Sequence, residues 1–110
     1  MPEFILIIRE DLTRYPIPDA ELKSLVSAHT NWAKDLSARG IFKTGYGVDS
    51  QGSLLTMAED TIIELPLRDV HEGIGGFYII EAEDLAAAIE IGKECPTYQS
   101  GDSIEVRPLM

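Results

Sequence analysis

The order of extended and helical signals along this chain, β-α-β-β-(β)-α-β, predicts an α+β fold of the ferredoxin-like, split βαβ type. In that fold two helices pack on one face of an antiparallel sheet. Three observations carry the expectation. A continuous β-favouring run, Phe4 to Ile8, opens the chain, and a stretch of helical periodicity then ends at Gly40. Short extended pieces broken by turn residues follow, before a second helical stretch.

Phe4-Ile5-Leu6-Ile7-Ile8 is apolar at both alternations, as befits a central strand covered on both faces. Pro16-Ile17-Pro18 forces an extended entry, and Asp19 caps or charges the first turn of a helix that runs to Arg39 and stops at Gly40. Leu22, Leu25, Val26, Trp32, Ala33 and Leu36 recur at three- and four-residue steps and form one stripe, which leaves Glu21, Lys23, Lys34 and Asp35 to water. Extended segments are then expected at Ile41 to Val48, Ser53 to Met57 and Thr61 to Leu65, with turns at Asp49 to Gly52 and at Glu59-Asp60. Phe77 to Glu81 reads as a further strand, Glu83 to Glu94 as a helix ended before Pro96, and Ile104 to Val106 as the last strand. Pro66 to Gly76 is the loop long enough to be functional.

Size and charge narrow the classes. A chain of 110 residues, 45% of them hydrophobic, fits one domain, 1–110. Nineteen acidic against nine basic side chains repel phosphate backbones and anionic lipid, so nucleic acid and membrane are not expected as partners. The run Phe4 to Ile8 is too short for a signal-peptide core or a membrane span. The single Cys95 makes no internal disulfide and reads as a packing residue, and a cytoplasmic protein is the expectation.

Chemistry must come from few residues. His29 falls on the apolar stripe of the first helix, seven residues after Leu22 and seven before Leu36, so its imidazole is expected to face the sheet. A histidine so placed either moves protons near neutral pH, if a carboxylate holds one ring nitrogen, or is a structural group satisfied by a carbonyl or water. Asp49 is one acid available to it, although Asp is expected in such a turn for conformational reasons alone.

Glu64-Leu65-Pro66-Leu67, an acidic linker, Gly75-Gly76 and Phe77-Tyr78 together resemble the signature segment of the YCII-related (DGPF) proteins, in which Asp-Gly-Pro-Phe precedes Gly-Gly-Tyr-Tyr. Ser103 to Pro108 is similar to the family's C-terminal Val-Glu-Val-Arg-Pro, and His29 stands eleven residues before Gly40, as a family histidine does. The resemblance implies a dimeric α+β barrel and a catalytic His-carboxylate pair in which Glu64 takes the place of the motif Asp. Leu65 and Leu67 depart from the motif's Gly and Phe, while Pro66, Glu72, Gly75, Gly76 and Tyr78 match.

Other candidates are weaker. His71 stands where family members often carry Lys, and with Glu72 and Tyr78 it is a candidate ligand contact. His29, Glu64, His71 and Glu72 lack any diagnostic metal-binding spacing, so neither a metal nor another cofactor is expected. Gly75-Gly76 leads into a strand rather than a helix and reads as a hinge or bulge, not a phosphate cradle. A sheet apolar on both faces asks for cover, and the expected cover is a homodimer through the sheet faces. Two functional classes follow: a small-molecule enzyme using His-carboxylate acid/base chemistry, and a non-catalytic metabolite-binding or protein-interaction module.

Overall fold

The computed structural model describes residues 1–11, 14, 17–67 and 72–110, with the backbone alone described at Glu72. Strand β1 spans Glu3–Asp11, helix α1 Asp19–Ala38, β2 Phe42–Gly47, β3 Ser53–Ala58, β4 Thr61–Pro66, β5 Glu72–Glu81, helix α2 Leu85–Gly92 and β6 Ser103–Pro108. A 3-10 turn over Pro96–Ser100 precedes β6. Pro16 of the expected Pro16-Ile17-Pro18 entry lies outside the described residues.

The main sheet has the order β2-β5-β1-β6 and is antiparallel throughout. With α1 and α2 as its crossovers, this is the ferredoxin-like α+β fold. Strand β1 lies between β5 and β6 and is central, as its unbroken apolar run predicts. Its even residues Phe4, Leu6 and Ile8 are buried and meet Tyr78 and Ile80 of β5, Trp32 and Leu36 of α1, and Ala88 of α2 in one core. Its odd residues Ile5 and Ile7 are only half-buried, because the opposite face carries no helix.

Helix α1 ends by a Schellman arrangement. Ile41 N–H donates to the Leu36 carbonyl at 3.1 Å and Gly40 N–H to the Ser37 carbonyl at 3.0 Å, with Gly40 at φ 75° where glycine is strain-free. Only the second half of its predicted stripe is deeply packed. Trp32 and Leu36 are buried, whereas Leu22 and Val26 stay exposed and line a cleft between the helix and the sheet. Arg39 braces the helix against Glu94 at 2.7 Å, and Glu94 also accepts the Trp32 indole N–H at 3.4 Å. Helix α2 starts later than the acids at 83 and 84 suggest, because Asp84 caps it from outside by accepting the Ala87 N–H at 2.8 Å.

Two boundaries differ from expectation. Strand β5 begins at Glu72, so the glycine pair lies inside the strand rather than at a loop end. The pairing passes from Ile8↔Gly76 to Arg9↔Ile74, leaving Gly75 as the extra residue of a β-bulge. The second difference is that β3 and β4 form a separate two-stranded ribbon. Their turn, Glu59-Asp60, has both φ values positive, at 48° and 65°, as a tight two-residue hairpin requires.

Candidate functional site

The space left open by the first half of α1 is a cleft of about 600 Å³ between that helix and strands β1, β2 and β5. Leu22, Leu25, Val26, Ala33 and Phe42 give it apolar walls, and Glu10, His29, Tyr78, Thr97 and Asp102 contribute polar groups. A volume of this size with few convergent polar groups has the dimensions of a small-molecule site.

His29 is half-buried in it, on the sheet-facing side of α1. Its Nδ1 lies 2.6 Å from the Tyr78 phenolic oxygen, and the two rings stack at 5.9 Å with 20° between their planes. Tyr78 is itself held by the core, edge-on to Trp32 at 4.8 Å. Removal from water governs both partners. It pushes the His29 pKa below its ordinary value and the Tyr78 pKa far above its own, so the pair is neutral imidazole and neutral phenol at pH 7. One tautomer has the phenol donating to Nδ1 and leaves Nε2–H as a donor; the other reverses the bond and leaves Nε2 as an acceptor. The arrangement can therefore give or take one proton.

The carboxylate whose charge acts on His29 is Asp102, which opposes the effect of burial on the imidazole. Asp102 sits just before β6 with its side chain 9% exposed, accepting from Arg14 Nη1 at 3.2 Å and from Thr97 Oγ1 at 3.3 Å. Burial raises its pKa, while Arg14, the Thr97 hydroxyl and His29 pull it back. Arg14 is fixed in turn by the Ser100 carbonyl at 2.7 Å.

The residues expected from sequence divide. His29 and Tyr78 are brought together at the cleft. Glu64 is not brought to them: it is exposed on β4, on the ribbon that leaves the main sheet, and does not line the cleft. Within one chain the hairpin carries the motif position away from the helix, and the carboxylate whose charge reaches His29 is that of Asp102. Asp49 stands at the cleft mouth and accepts the Gln51 N–H at 2.9 Å, which is a turn role. His71 and the Glu72 side chain lie outside the described residues. Sequence reasoning passed over Asp102 because an Asp after Gly101 at a strand start has an ordinary turn explanation, with Gly101 at φ 81°.

Among the described residues, no group of three or more His, Cys, Asp or Glu is placed to hold a metal ion. Cys95 is buried, with its thiol pushed up to about 11 by burial, so it packs rather than reacts. Among the described residues, no helix is long and apolar enough to cross a membrane. The family model of the YCII-related domain matches residues 4–110. Comparison with curated proteins gives no match.

Proposed function

The chain belongs to the YCII-related domain family, and on that premise we propose that it is a small-molecule enzyme in which His29 transfers a proton within the α1–sheet cleft. The observation that supports this most is the neutral, half-buried imidazole tied to Tyr78 beside an apolar cavity of about 600 Å³. Tyr78 orients the ring, and the Asp102 carboxylate stabilises the imidazolium formed when the proton is taken up. Such a base serves an elimination, isomerisation or hydrolysis of a small aromatic or cyclic compound, and contributes about 10²- to 10⁴-fold in rate. The test is a substrate screen followed by His29→Gln. Loss of turnover with ligand binding retained supports the reading, and undiminished turnover ends it.

A second reading, a non-catalytic metabolite-binding module, is favoured by the Glu64, Leu65 and Leu67 departures from the family motif. It predicts ligands that bind the cleft without being changed, with affinity insensitive to His29→Gln.

The remaining expectations fit the same reading. Ile5, Ile7, Phe77 and Ile79 are half-buried on the open face of the sheet, and Tyr46 lies against Phe77 at 6.1 Å. Ion pairs flank them, Lys43 with Glu81 at 3.2 Å and Arg9 with Glu105 at 3.4 Å. An apolar centre inside a charged rim suits a homodimer through the sheet faces. A reducing compartment suits the free, buried Cys95, and we place the protein in the cytoplasm.

A further inference from the structure

The β3–β4 ribbon carries large apolar side chains that its own chain leaves open. Leu54, Leu55, Met57, Ile62, Ile63 and Leu65 keep 37 to 65% exposure although all six lie in regular strands. The register sets Leu54 opposite Leu65 and Thr56 opposite Ile63 on one face. Met57 opposite Ile62 and Leu55 opposite Glu64 make up the other. Both faces of the ribbon are therefore uncovered. A two-stranded ribbon standing alone is marginally stable in water. This one nevertheless has a fully paired ladder and a hairpin turn of the right hand.

We propose that the ribbon is an arm that packs on a second copy of this chain, so that the cleft mouth of each copy is fixed only in the dimer. The ribbon needs cover whenever the chain is folded, and a second copy is the partner present in equal number under all conditions. The area also fits. Six half-exposed large side chains supply on the order of half of the ~800 Å² that each partner contributes to a stable interface. The open sheet face supplies a further apolar patch on the same molecule, at Ile5, Ile7, Phe77 and Ile79. Charge does not oppose the contact locally, although the chain carries a net charge of −10. The ribbon's acids are Glu59 and Asp60 at the tip and Glu64, which lies opposite Leu55 on the face of Met57 and Ile62; the rungs Leu54–Leu65, Thr56–Ile63 and Met57–Ile62 carry none.

The link to the cleft is covalent. Val48, Asp49 and Ser50 line the cleft mouth, and five residues after Val48 the chain enters β3 at Ser53. The ribbon's root is closed where Leu67 N–H donates to the Gly52 carbonyl at 3.1 Å. Wherever the ribbon is held, the mouth segment is held with it.

The test uses the full chain. A nitroxide is attached to unlabelled Glu59→Cys protein, in which the buried Cys95 does not compete for the reagent, and this is mixed with ¹⁵N-labelled wild type. The expected result is broadening of amides in the labelled copies, reversed when the nitroxide is reduced. Light scattering of Met57→Glu/Ile62→Glu is expected to show dimerisation weakened by at least ~tenfold. Unchanged Trp32 and Tyr78 resonances verify that the body of that variant is folded. A dimer that the double variant leaves intact, with no broadening between copies, overturns the arm while leaving the sheet-face dimer standing. A monomer at NMR concentration overturns both. Neither outcome bears on proton transfer by His29, which is tested by turnover.

Discussion

His29 Nδ1 and the Tyr78 hydroxyl meet at 2.6 Å across 49 residues of sequence, joining the exposed helix to the inner strand of the sheet. The bond fixes which way the imidazole faces, and it fixes the tautomer by whichever atom holds the shared proton.

Tyr78→Phe keeps the ring in the core and removes the hydroxyl. The fold is expected to survive with a loss of about 0.5 to 1.5 kcal/mol, the usual net value of one hydrogen bond. The His29 ring-nitrogen shifts should move toward those of a mixture of tautomers. Urea unfolding reads the first effect and nitrogen-detected NMR the second; unmoved ring shifts would show that the phenol does not set the tautomer.

Asp102→Asn should lower the His29 pKa further, because the carboxylate charge is what opposes desolvation there. Glu64→Gln should leave the same titration in place, since Glu64 stands on the ribbon outside the cleft. Histidine NMR titrations of both variants check this. A response to Glu64→Gln would mean that the ribbon reaches a neighbouring site.

Stability should fall as acid is added, starting near pH 6.5. Unfolded His29 takes up a proton around its ordinary value of 6.5, while the folded protein, with a lowered pKa, does not. Above that pH both states are neutral and the residue contributes nothing; below it the unfolded state is favoured until the folded pKa is passed. Asp102, raised by burial, binds protons preferentially in the folded state and works in the opposite sense at lower pH. His29→Gln should flatten the decline below pH 6.5 in thermal unfolding followed at several pH values.

Gly76→Ala should cost about 1 to 3 kcal/mol, the range of overpacking. An added Cβ would lie 2.7 Å from the Tyr46 carbonyl oxygen and 3.1 Å from the Gly47 Cα, both backbone atoms of the neighbouring strand β2 that cannot turn aside. Denaturant midpoints of wild type and variant decide it, and an unchanged midpoint would contradict this close packing of β2 on β5.

The fold was legible because its signals are local. The Phe4 to Ile8 run, the α1 stripe and Gly40 each state their own conformation, and the periodicity that buries Leu36 also turns His29 toward the sheet. Half of the site was legible for the same reason. Asp102 was not, because its proximity to His29 is created by β6 returning beside β1, and nothing in Gly101-Asp102 distinguishes a cleft carboxylate from a turn residue. Glu64 is the converse case: its motif position is legible in sequence, while within one chain the ribbon holds it outside the cleft. Whether two strands join the main sheet or leave it is decided by tertiary pairing, which alternation of apolar residues does not encode.

The bulge at Gly75 brings the strand against the Glu10 carboxylate, which a Cβ added at position 75 would overlap. That carboxylate is the far end of a flexible side chain, so Gly75→Ala asks only that Glu10 turn to another rotamer, whereas at the next residue a methyl group meets backbone. Two adjacent glycines therefore differ in the freedom they leave to sequence drift: position 75 can change at the cost of one side-chain rotation, and position 76 is held by the strand beside it.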